Sequence, residues 1–193
     1  MQSRVEIRGF GDGALDLLRY FRVDEIAHFD RALREHLIGC FTLLDCWGAP
    51  SHVCVTGLFH SIYGTATFKS AAAAATDRPR IRNVIGSAAE ELVYLFSFGD
   101  RRRLLLDSRT APHLWTSHSG DERAEIDDET LGWLVLVEAA NFVEQLPHID
   151  SVSDATIDDM MQRFDAQKRH LPPHVRHALR EAYDARLDRA TRT

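Results

Sequence analysis

The sequence predicts an all-α protein, a single bundle of about seven helices. Three observations predict it. Apolar residues recur at three- and four-residue steps in segment after segment. Gly, Pro, Asp and Ser stand between those segments, at positions where helices start and stop. No stretch alternates like a half-buried strand, and no long internal repeat is present.

A chain of 193 residues is expected to form one domain that buries roughly 70% of its unfolded surface. We place that domain over 14–188, after a loose polar arm (1–13) with Gly9, Gly11 and Gly13, and before a charged tail (189–193). Leu15, Leu17, Leu18 and Phe21 begin a short helix, and Val23 to Phe29 leads into a longer one. Asp30 is placed to cap a helix from Arg31 to Trp47, which Gly48 stops. His36, Cys40, Leu43, Leu44 and Trp47 share one of its faces. Pro50 suits the first turn of the next helix, and Val53, Val55, Leu58, Phe59 and Ile62 make it apolar nearly all round. Tyr63-Gly64-Thr65 ends it.

The alanine run over 70–76 is either a surface helix or a loop. Arg78 begins another helix, broken near Gly86. Ser87 and Glu90 have the spacing of a capping box before the run Leu92 to Phe96, and Gly99 closes that helix. Residues 107–128 are polar and are expected to form a loop or short lid, with too little apolar mass for a second domain. Asp127 or Asp128 caps a core helix from Glu129 to Leu146, which Pro147 ends. Ser153 starts an amphipathic helix through Met160, Met161 and Phe164. Pro172-Pro173 opens the last, with Val175, Leu179, Tyr183 and Leu187 at helical spacing.

The net charge of −6 argues against a general nucleic-acid binder, yet leaves room for a small anionic substrate on a local basic patch. No apolar run reaches the ~18–20 residues that span a bilayer, and the N-terminus lacks the apolar core of a signal peptide. Cys40, Cys46 and Cys54 stand in apolar surroundings, form no Cys-x-x-Cys pair and read as buried free thiols in a reducing cytoplasm. We therefore expect a cytoplasmic protein without a membrane or nucleic-acid partner, with a homodimer left open.

His36 and His60 lie on consecutive helices joined by a tight turn, so the two rings are expected to face each other. A buried histidine costs free energy unless both ring nitrogens find partners. Two together point to a shared metal ion or substrate, although a core histidine bonded to backbone explains each one separately.

His36, followed by Leu58-Phe59-His60-Ser61, resembles the HD superfamily of metal-dependent phosphohydrolases, most nearly the alarmone hydrolases. Ile85-Gly86 with Ala89, Glu90, Leu92 and Val93 is similar to the helix after their His-Asp motif. The resemblance covers roughly 30–145 and extends to an uncharacterised branch with Phe-His-Ser-x-Tyr. It implies a helical bundle in which the two histidines bind a divalent metal. Ser61 stands where the superfamily has Asp, and its distal Asp has two counterparts here, Asp100 and Asn141. With Asp100, the set His36, His60 and Asp100 suits Fe(II) or Mn(II). With Asn141 both carboxylates are lost, and the protein would work without metal.

In the first case the activity is hydrolysis of a small phosphorylated or nucleotide-like molecule. Glu90 or Glu144 would take the proton of a metal-bound water, and Tyr63 would donate to a substrate oxygen. Arg82, Arg101 and Arg103, from the two basic clusters, would hold phosphate beside Ser61 and Asn141. The capping box also accounts for Glu90, and solvated helix ends also account for the arginines. The alternatives are a non-haem iron oxidase or oxygenase, and a metal-free binding or regulatory module. His113, Trp115 and His118 are isolated in the polar loop, and His170, His174 and His177 read as surface.

Overall fold

A computed structural model describes residues 13–65, 70–101, 105, 112–117, 122–150 and 152–190. Arg103, His118, the arm before Gly13 and the last three residues of the tail lie outside the described residues. The described chain forms eight α-helices and two short hairpins, an all-α fold. The helices are α1 (Gly13–Tyr20), α2 (Leu33–Cys46), α3 (Ser51–Phe59), α4 (Arg78–Ile85), α5 (Ser87–Phe98), α6 (Asp128–Gln145), α7 (Asp154–Ala166) and α8 (Pro173–Ala190). Gly13, placed in the arm by the sequence, begins α1, and Arg189 and Ala190, placed in the tail, are the last two residues of α8. Cys40 and Cys54 are buried as expected, whereas Cys46 at the end of α2 is exposed.

The centre of the molecule is α2 packed on α3, with α6 across both. Leu37 and Leu44 of α2, Val55 and Leu58 of α3, and Leu131 and Val137 of α6 are fully buried there. Gly57 lets α2 and α3 approach closely, because a Cβ at that position would run into the Leu44 side chain. On the far side of α3 lies α5, and α8 covers α6. No described helix is long and apolar enough to cross a membrane.

Several boundaries follow from local chemistry. Gly48 and Gly86 have φ of +74° and +84°, which stops α2 and α4 at residues without a Cβ penalty. Asp127 and Ser153 accept the N–H of Thr130 and Thr156 and so start α6 and α7. Pro50 sits one residue before α3, at its N-cap, and not in its first turn. Ala75–Asp77 is a single 3₁₀ turn within the alanine-rich segment.

Other expectations are corrected. The chain before α2 is a 3₁₀ turn and a two-residue hairpin, β1 (Ala27–His28) with β2 (Arg31–Ala32). Its turn puts Phe29 at φ +56°. Asp30 therefore caps no helix, and its carboxylate pairs with His148 at 2.9 Å. The polar loop holds a second antiparallel hairpin, β3 (His113–Thr116) with β4 (Arg123–Ile126). Its inward residues, His113 and Trp115, are buried and so are not isolated in a polar loop. The Trp115 indole N–H donates to the Leu95 carbonyl at 2.8 Å, tying the hairpin to α5. The capping box does not form, because Ser87 already lies inside α5 and Glu90 turns toward α4.

Candidate functional site

His36 sits one turn into α2, and His60 is the residue that follows α3. The close approach at Gly57 brings the two rings together edge to face, with Nε2 of one 3.1 Å from Nε2 of the other. Both side chains are buried. Cys40, one turn beyond His36, places its Sγ 3.8 Å from His36 Nε2. Ligand atoms of His36, Cys40 and His60 all lie within 4.8 Å of one another, the only such metal-capable trio among the described residues.

The partners of these rings fix where their protons sit. The Gly57 carbonyl, 2.7 Å from His60 Nδ1, can only accept, so Nδ1 carries the hydrogen. His36 Nδ1 meets the Glu144 carboxylate of α6, which Arg31 of β2 also grips at 2.5 Å. An anionic carboxylate held by arginine accepts, so His36 is also protonated on Nδ1. Burial lowers His36 to about 3 and holds His60 well below the ordinary histidine value. Both rings are neutral at pH 7. Their Nε2 lone pairs then face each other with no hydrogen between them.

A third histidine joins them. His28, on β1, stacks on His36 with ring centroids 4.2 Å apart, and burial lowers it to about 4. A chain of amides sets its orientation. The Glu138 carboxylate accepts from the Asn141 amide at 3.2 Å, so the Asn141 oxygen faces Gln145 and accepts from its amide at 2.8 Å. The remaining Gln145 hydrogen lies between His28 Nε2 at 3.3 Å and His36 Nε2 at 3.5 Å. Acceptor nitrogens from three histidines thus converge beside α6.

His60, His28, Asn141 and Gln145 line a cavity of about 530 Å³. Ser61, Asp100, Arg101 and Glu138 also lie on its wall. Arg101 caps the Phe96 ring, its Cζ 4.2 Å from the centroid, and pairs with Glu138 at 3.3 Å. Its Nη1 is buried without a hydrogen-bond partner among the described residues.

The sequence-based candidates divide accordingly. His36 and His60 meet, while Ser61, Asn141, Asp100 and Arg101 share the cavity wall with His60. Asp100 lies outside the trio of mutually close ligand atoms, whose third member is Cys40. Glu144 lies behind His36 and orients it, off the cavity wall. Glu90, Tyr63 and Arg82 form a separate cluster. Buried Glu90 accepts from Arg78 at 2.6 Å, Arg82 at 2.6 Å and Tyr63 at 3.1 Å, and its carboxyl is pulled below the usual range by both arginines against the cost of burial. These groups tie α4, α5 and the turn that follows α3 together, and none lines the cavity. His28, Arg31 and Glu138 carried no signal in the sequence, because a two-residue strand has no periodicity to read and a lone Glu on a core helix resembles any other.

A family model described as a domain of unknown function (DUF6817) matches residues 17–101, less than half of the chain. The matched segment runs from α1 to the end of α5 and includes His28, His36, Cys40, His60 and Arg101, but none of α6. Comparison with curated proteins and with solved structures finds no match.

Proposed function

We propose that this protein is a metal-dependent hydrolase of a small anionic molecule, with His36, Cys40 and His60 as the ion's ligands. The observation that carries this reading is the pair of Nε2 atoms 3.1 Å apart. Two imidazole nitrogens at about 2.0–2.1 Å from one ion, between octahedral and tetrahedral angles, stand about 2.8–3.4 Å apart. Two neutral lone pairs at that separation repel unless a cation lies between them. Two carboxylates, Asp100 and Glu138, lie on the cavity wall beside His60. The resemblance to the HD superfamily points the same way.

A bound ion would supply an acidified water at neutral pH. The chain's own groups supply the rest. Glu138, on the wall, takes the proton-accepting role that the sequence assigned to Glu90 or Glu144. Arg101 offers its free N–H to an anionic oxygen, and Ser61 and Asn141 contribute neutral hydrogen bonds. A thiol in place of a carboxylate favours Zn(II) or Fe(II) over Mn(II).

The test is elemental analysis of protein purified without chelator, followed by phosphomonoester and phosphodiester turnover of the native protein and of His60→Ala. A stoichiometric metal and turnover that His60→Ala abolishes are expected. Turnover undiminished in His60→Ala would sink the reading. One observation favours a second reading, a non-haem iron oxidase: apart from the polar wall the cavity is lined by Phe142, Ile149, Ile157 and Met160. Bound iron with substrate-dependent oxygen uptake, and no phosphate release, would select it. Protein that neither contains nor takes up metal would instead be a metal-free binding module.

A further inference from the structure

The cavity has two chemically different sides. The histidines, Asn141 and Arg101 make one side polar. The segment from the end of α6 into α7 makes the other apolar, through Ile149, Val152, Ile157 and Met160. Val152 and Met160 are only partly buried, so their surface is open to an occupant. Phe29 lines the cavity too, 52% exposed at φ +56°, with its ring edge to face against His28 at 4.8 Å. A bulky non-glycine residue in the left-handed region is strained, and such strain is found where a ligand is gripped. The ring therefore stands at the histidine side of the cavity, half open to an occupant.

We infer that the cavity takes a small amphiphile, its compact anionic head against Arg101 and the histidines and its unbranched apolar tail along Val152, Ile157 and Met160. The inference rests on the proposed metal site for the head alone. Arg101 offers the anionic head a buried Nη1 hydrogen. A dication beside His60 would add a second positive centre. Metal binding therefore strengthens the hold on the anionic head, while the tail contacts need no metal. A volume of about 530 Å³ is in the range of about 300–1,000 Å³ common for small-molecule sites. Met160 adds an adaptable, polarisable surface for a tail.

The experiment uses the full chain and three calorimetric series. In chelator-treated protein, 1-alkanols from ethanol to octanol probe the tail side alone. In Zn(II)-loaded protein, n-alkyl phosphates and n-alkanoates of matching lengths probe the head, and the two arms separate a phosphate from a carboxylate. Each methylene buried should tighten binding about threefold to fourfold until the tail fills the space. Alkyl phosphates or alkanoates should lose at least tenfold in affinity when the metal is removed. Met160→Asp should weaken octyl phosphate at least tenfold and leave inorganic phosphate within twofold. Alkanol affinity that does not depend on length overturns the inference whatever the metal does. A length-dependent alkanol series with no binding of either anion in metal-loaded protein overturns the anionic head. Absence of metal uptake counts against the proposed function and against the anionic head, and the alkanol series still decides the tail.

Discussion

His36 Nε2 and His60 Nε2 stand 3.1 Å apart, each ring having its other nitrogen committed, one to Glu144 and one to the Gly57 carbonyl. The pair is therefore pre-oriented for the proposed ion, with the Cys40 thiol as a third donor atom in reach. Replacing His60 by Ala should reduce Zn(II) affinity by more than the about 10–100-fold that loss of a supporting group costs. Cys40→Ser should weaken Zn(II) more than Mn(II), since only the softer ion gains from sulfur. Competition titrations against a chromophoric chelator measure both. Equal losses for the two ions would remove Cys40 from the ligand set.

Acid should destabilise the metal-free protein in a defined window. The unfolded chain protonates its histidines near about 6.5. In the fold, burial holds His28 at about 4 and His36 at about 3, with Arg31 also opposing a charge on His36. Between about pH 4 and 6.5 the unfolded state binds more protons, so stability falls on acidification, by up to about 1.4 kcal/mol per pH unit per histidine. It is fully present above that window. Burial raises the Glu144 carboxyl, so this group takes up its proton earlier in the fold than in the unfolded chain and opposes part of the loss. Urea unfolding from pH 4 to 8 in chelator should show the slope, and His28→Gln should reduce it by about one proton. An unchanged slope in that variant would show that His28 does not titrate as described.

The helices were legible in the sequence because each buries an apolar face at three- and four-residue steps over two turns or more. That same periodicity put His36 on the inward face of α2, and the short joint after Gly48 brought His60 to meet it. What the sequence concealed lies in segments too short to be periodic. His28 and Arg31 reach the site from a hairpin of two-residue strands, and Trp115 is buried from a strand of four. Glu90 was ambiguous because its spacing from Ser87 fits a cap. The three donors it meets in Arg78, Arg82 and Tyr63 come from elements that only the fold brings together. The distal residue was also undecidable by spacing: Asp100 and Asn141 both line the cavity, Asp100 lies outside the close trio of ligand atoms, and Asn141 hydrogen-bonds to the His36 side chain.

Glu144 holds His36 in the tautomer that frees Nε2, and it needs Gly39 to do so. A Cβ on Gly39, on the adjoining turn of α2, would collide with the Glu144 side chain. Gly39→Ala should push the carboxylate off His36, and Glu144→Gln should leave it in place without its charge. Each should weaken metal binding about 10–100-fold. Because both act through one contact, the double variant should lose little more than either alone. Fully additive losses would mean that Gly39 acts on the fold and not through Glu144.

Glu90 provides the control that separates fold from site. It is fully buried and takes charged hydrogen bonds from Arg78 and Arg82, while Arg78 also lies over the Tyr94 ring with its Cζ 3.6 Å from the centroid. Removing one partner of a buried ion pair is costly because the other charge is left behind. Here the arginine side chains are 23% and 43% exposed and can recover some hydration. Glu90→Ala should therefore destabilise the protein by about 3 kcal/mol, the lower end of the range for such pairs. Since Glu90 touches neither the histidines nor the cavity wall, metal affinity per folded molecule should stay within about threefold of the native value, well short of the loss expected for a supporting ligand group. Denaturant unfolding and metal titration on the same preparation decide the matter. A large loss of metal affinity with unchanged stability would return Glu90 to the active centre.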